Sequence, residues 1–189
     1  MEIKEKYNKI NKVLDYIKDV LEVPRDEYGG MSACPFAKKE RENNNLYIDV
    51  IDKDNGFLTL MDKFFKSNKD NAIFVNEIDM DNTDTRRYQI FLNKELKKKS
   101  ITTHKVLCIN PKDKLSVKEF NVRAKSPYFL ILVNNQKEIN QAHNKLLKTN
   151  YFDKMDNNYK HYLGIKWEYL KNQVEDEHYP FIGGDVLEH

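Results

Sequence analysis

The residue type best suited to chemistry is a cysteine in the run Gly30-Met31-Ser32-Ala33-Cys34-Pro35-Phe36-Ala37-Lys38-Lys39. Proline suits the first position of a helix, so the spacing predicts a short helix opening at Cys34-Pro35 with the cysteine as its cap. A thiol there meets unpaired backbone N–H groups and the positive end of the helix dipole. Both favour the thiolate, which is the nucleophilic form. Lys38 and Arg41 follow within two turns and could bind the anionic part of a small substrate. Gly29-Gly30 would let that substrate approach the backbone closely. The competing reading is a small apolar residue tucked under the loop, since cysteine is among the most buried residue types. Cys108, inside the apolar run Val106-Leu107-Cys108-Ile109, reads as core.

Other candidates are weaker. The chain has 27 Lys, 5 Arg, 21 Asn and only 5 Ala, a bias that reads as genome composition. The rare arginines (Arg25, Arg41, Arg86, Arg87, Arg123) therefore carry more information, because a guanidinium fork grips planar anions in a way lysine cannot copy. His104, just before a predicted strand, is a candidate base for Cys34. Asp79-Met80-Asp81-Asn82-Thr83 matches the D-x-D-x-T pattern of haloacid-dehalogenase phosphatases, but lies mid-chain behind an interrupted strand. The plainer reading is a polar loop with a helix cap at Thr83 or Asp84. A loosely held divalent cation at Asp79, Asp81 and Asp84 is the weak metal reading, since hard cations take oxygen ligands. No histidines stand at H-x-H or H-x-x-x-H spacing. G-x-G-x-x-G, G-x-x-x-x-G-K-[ST] and G-x-S-x-G are all absent, so no cofactor is assigned.

Two resemblances bear on Cys34. Cys34-Pro35-Phe36-Ala37, with the helix and strand expected after it, resembles the C-P-[YF]-C active-site segment of glutaredoxins over about 20 residues. Ala37 stands where the second cysteine would be, so dithiol chemistry is not implied. The same C-P-F-A run, with Arg123-Ala124-Lys125-Ser126-Pro127-Tyr128 in the same order along the chain, resembles bacterial families of unknown function. Those carry C-P-[FY]-A and a later S-P-Y segment. That resemblance covers roughly residues 30–150. It implies a shared fold but no activity, and makes Arg123 and Ser126 partners to test beside Cys34.

The elements that must position these residues follow from periodicity. Ile3, Tyr7, Ile10, Leu14, Ile17 and Leu21 share one helical face. Pro24 and Gly29-Gly30 then open a loop. Strands are expected at 46–51, 72–75, 105–109 and 128–133. The last two are continuous apolar runs and so are expected at the sheet centre. Helices are expected around Phe57–Phe65, Tyr88–Leu96, Ile139–Leu147 and Tyr159–Leu170, with a short one at Leu115–Phe120. The alternation predicts a single-domain α/β or α+β sandwich over residues 1–186. About four strands are covered by helices, with an N-terminal helix and a C-terminal helical segment. Leu187-Glu188-His189 resembles a tag remnant.

Composition narrows the function classes. The 189 residues carry 32 Lys plus Arg and 30 Asp plus Glu, a net charge of +2. A nucleic-acid partner wants a net basic face, so it is disfavoured. No apolar run approaches 18 residues, and so no membrane span is expected. Two distant cysteines and no signal-type apolar segment suggest a cytoplasmic protein with reduced thiols. The leading expectation is a thiol-dependent enzyme or redox protein using Cys34 on a small anionic substrate. The alternatives are a non-catalytic binding, regulatory or homo-oligomeric protein, and a metal- or cofactor-dependent enzyme with scattered ligands.

Overall fold

The computed structural model describes residues 1–114 and 116–155. The expected helix at Tyr159–Leu170, the acidic tail and the tag remnant lie outside the described residues.

Four strands build one mixed sheet: β3 (Leu46–Val50), β4 (Asn71–Asn76), β5 (His104–Ile109) and β6 (Phe129–Asn135), in the order β3-β4-β6-β5. β3 and β4 run parallel, whereas β6 runs antiparallel to both β4 and β5. Alternation along each strand divides the core. Tyr47, Ala72, Phe74, Val106, Cys108, Phe129, Ile131 and Val133 face helices α3 (Phe57–Phe65) and α4 (Asn82–Lys98). Ile48, Val50, Ile73, Val75, Ile109 and Leu130 face helix α1 (Ile3–Tyr16) and the π-helical turn Ile17–Leu21 that extends it. The mixed α and β sandwich read from the sequence is the fold observed.

Strand order is where expectation and structure part. The run 105–109 forms an edge strand, not a central one. It tolerates the edge because α4 lies along it and supplies the missing partners. The Asn93 Oδ1 accepts from Val106 N–H at 2.9 Å, its Nδ2 donates to the Val106 carbonyl at 3.0 Å, and Gln89 Oε1 accepts from Cys108 N–H at 2.8 Å. Two amides one helical turn apart thus satisfy backbone groups that a neighbouring strand would otherwise take.

Three local expectations also shift. The loop after α1 contains a two-residue hairpin, β1 (Pro24–Arg25) with β2 (Met31–Ser32), turned through Gly29 and Gly30 at φ 66° and 82°. α4 starts at Asn82, capped by Asp81 and not by Thr83 or Asp84. The Asp81 carboxylate accepts from Asp84 N–H at 2.8 Å. Residues 116–120 form a tight turn, with reciprocal Val117 and Phe120 backbone bonds and Lys118 at φ 53°, where a helix was expected. A third apolar cluster, with Tyr28, Val117, Tyr151, Phe152 and Met155 buried at its centre, ties this turn and the hairpin loop to the segment after helix α5 (Gln136–Leu147).

Candidate functional site

Helix α2 spans Ala37–Glu42, so it begins three residues after Cys34, with Phe36 at the cap position. Cys34 instead sits in the bend that leads into it. Its N–H donates to the Leu21 carbonyl at 3.0 Å and its carbonyl accepts from Ala37 N–H at 3.0 Å. These bonds fasten the segment to the end of the α1 layer. The residue as a whole is partly exposed, but its thiol is shielded from water.

The charges that act on the thiol are acidic. Burial pushes the Cys34 thiol above its ordinary value, and the carboxylates of Glu22 and Glu40 push it further. Backbone N–H groups of Phe36 and Ala37 pull the other way without overturning the shift. Desolvation and like charge both penalise a thiolate, so the direction is opposite to that expected of a cysteine capping a helix.

The candidate cations are engaged elsewhere. Arg41 grips Glu22 in a two-pronged pair, Nε to Oε1 at 2.7 Å and Nη2 to Oε2 at 2.8 Å. This joins α2 to the end of α1. Lys38 is exposed and lies 4.0 Å from Glu42, its neighbour one turn on. Arg123 is buried, with its Nη1 2.8 Å from Asp113 Oδ2. Its charge lowers the thiol of Cys108, not of Cys34. Burial dominates there and raises Cys108 to about 12. Ser126 is buried too, and its hydroxyl donates to the Tyr128 carbonyl at 2.7 Å, a local turn that leads into β6.

His104 stands at the start of β5 against the α3 face. Its ring meets Phe64 and Phe65 edge-on at 5.5 and 5.2 Å, and Nε2 lies 3.2 Å from the Asp70 carbonyl. Desolvation holds its pKa below the ordinary histidine value. Arg123, Ser126 and His104 thus have their own partners in Asp113, the Tyr128 carbonyl and the Asp70 carbonyl.

Asp79, Asp81 and Asp84 are exposed and each has another role. Asp79 pairs with Lys112, Asp81 caps α4, and Asp84 faces Arg87 at 3.6 Å. Among the described residues no group of three His, Cys, Asp or Glu side chains could hold a metal ion. No described helix is long and apolar enough to cross a membrane.

Sequence reasoning missed a polar junction at the start of β4. The buried Asn71 amide donates to Glu40 Oε2 at 3.2 Å and to Glu138 Oε2 at 3.0 Å, and Asn45 also donates to Glu40 at 2.6 Å. Asn71 thereby joins Glu40 of α2, whose carboxylate acts on the Cys34 thiol, to Glu138 in the first turn of α5. Nothing in its sequence context signals this, since Asn71 lies 31 residues from Glu40 and 67 from Glu138, and the three meet only in the fold.

No protein-family model matches the chain, and no curated protein or solved structure matches it either.

Proposed function

We propose that this chain is a non-catalytic binding protein whose contact face is the N-terminal half of α1. The observation that carries this reading is the exposure of Ile3 and Tyr7, 76% and 63%, one turn apart on a helix whose later apolar residues are packed. The buried stripe runs through Lys9, Val13, Tyr16 and Ile17. The predicted stripe thus splits, its second half serving the core while its first half faces out. Exposed apolar side chains grouped on one element mark contact surfaces more often than isolated ones do. The simplest occupant is a second copy of the chain. Light scattering across a concentration series tests it: mass should rise with concentration, and Ile3→Lys with Tyr7→Lys should hold the protein monomeric. Stability should change by no more than about 0.5 kcal/mol, as for surface substitutions. A wild type that stays monomeric throughout, with the same elution as the double variant, overturns self-association.

A second reading keeps Cys34 as a nucleophile or redox thiol acting on a small anionic substrate. The backbone N–H groups of Phe36 and Ala37 directed at its sulfur favour it. The rate of iodoacetamide labelling against pH tests that reading. Appreciable labelling below pH 8 would support a thiolate, and labelling only well into the alkaline range would remove it.

A further inference from the structure

The segment that follows α5 leans on the loop that carries Cys34. Tyr151, Phe152 and Met155 are buried there with Tyr28 of the hairpin loop and Val117 of the tight turn, and Met31 and Ala33 pack against them. Tyr151 stacks on Tyr28 at 5.3 Å between ring centroids, and its hydroxyl donates to the carbonyl of Ala33, the residue before Cys34. Lys154 Nζ donates to the Asp26 carbonyl at 2.6 Å. Asn150 seats on Gly29, where a Cβ would stand 2.6 Å from its Oδ1 and 2.8 Å from its carbonyl oxygen. The glycine, at φ 66°, therefore serves both the turn and the fit. Beside these contacts the Cys34 thiol is shielded from water although the residue is partly exposed.

Among the described residues this cluster shares no member with the two that line the faces of the sheet, and 149–155 lies outside the paired strands. A satellite cluster under irregular chain can open while the sheet stays paired, since a local opening breaks few buried contacts and costs less than global unfolding. We infer that residues 149–155 are a strap over the Cys34 loop, whose release as a unit uncovers the Cys34 thiol while the sheet stays folded. The Tyr151 hydroxyl ties the strap to the cysteine segment itself. One release therefore removes both that bond and the packing on Met31 and Ala33. The device does not involve the α1 face, and it stands whether or not the thiol is a nucleophile.

The test is native-state labelling of the full chain with iodoacetamide at one fixed pH. Cys34 and Cys108 are read separately by peptide mass spectrometry, each scaled to its own rate in the denatured chain. Cys108 is buried within the sheet, so it reports global unfolding. On that scale Cys34 is expected to label about tenfold or more faster than Cys108, yet slower than in the denatured chain. Its rate should depend little on low urea, because a small opening exposes little surface. Tyr151→Phe keeps the ring and loses the bond to Ala33, so it should speed Cys34 labelling by roughly two- to tenfold. Asn93→Ala weakens the β5 edge, outside the strap, so it should speed Cys108 and leave Cys34 unchanged. Equal protection of the two cysteines, with the same urea dependence, would mean that only global unfolding uncovers the thiol and would overturn the strap. So would Cys34 labelling at the denatured rate, or a Cys34 rate that Tyr151→Phe leaves unchanged.

Discussion

At the scale of single residues, electrostatics decides what Cys34 can do. Its thiol is raised by burial first and then by Glu22 and Glu40. The thiolate fraction at neutral pH is therefore below that of a free cysteine. Removing one carboxylate should reverse part of this. Glu40→Gln should speed labelling at a given pH by shifting the profile to lower pH, read in the same iodoacetamide experiment. An unchanged profile would mean that Glu40 is too well screened to matter. Arg123 poses the opposite problem, because it is a buried cation held 2.8 Å from the buried Asp113 carboxylate. Arg123→Ala breaks this buried pair and should cost about 3–5 kcal/mol in chemical denaturation. Replacing both partners with apolar residues should recover much of that loss. The sequence made both residues visible as candidates but could not tell a ligand-binding arginine from a paired one. Asp113 is ten residues away, across a loop whose path the local pattern does not encode.

At the scale of elements, the short-range signals were legible and the edges were not. All four strands of the main sheet appear where β-type apolar runs predict them, because each strand must bury side chains whatever its neighbours are. Position within the sheet depends on which backbone edges find partners. The 105–109 run is apolar enough for the centre, yet Gln89 and Asn93 let it sit outside. Asn93→Ala leaves the Val106 N–H and carbonyl without their partner. It should destabilise by about 1–3 kcal/mol. An added Gln89→Ala should expose the whole edge, so a rise in aggregation on top of the loss in stability is expected by turbidity after mild heating. A double variant as soluble as wild type would mean that the bulk of α4 shields the edge without its amides. The N-terminal helix gives the matching lesson. Periodicity located the helix but not its rotation, since Lys9 takes a buried place through Glu5 and Glu77, each at 2.7 Å, that an apolar residue was expected to fill.

At the scale of the whole molecule, stability should respond to pH on both sides of neutrality. His104 and His143 are held below the ordinary histidine value by burial. Their folded pKa is depressed, so the unfolded chain takes up protons first as pH falls below about 6.5. Stability should then decline through that window. On the alkaline side Tyr47 and Cys108 are each raised to about 12, both chiefly by burial. Their stabilising contribution is present below the unfolded values and lost as pH rises from about 9 toward 12. Chemical denaturation midpoints measured from pH 5 to 11 should trace a dome. His104→Gln should flatten its acid limb, and an unaltered limb would show that His104 is not linked to folding.

The sequence by itself determined the four strands of the main sheet, the helices α1, α3, α4 and α5, and Cys108 as a core residue, and it held no apolar run long enough for a membrane span. These rest on local burial patterns and composition, which neighbours in the chain report. Only the tertiary structure decided which strand became an edge, which carboxylates face Cys34, and which arginines were already paired. Such facts are set by residues tens of positions apart meeting in space. A charge or hydrogen-bond donor acquires its role from the partner that the fold brings to it.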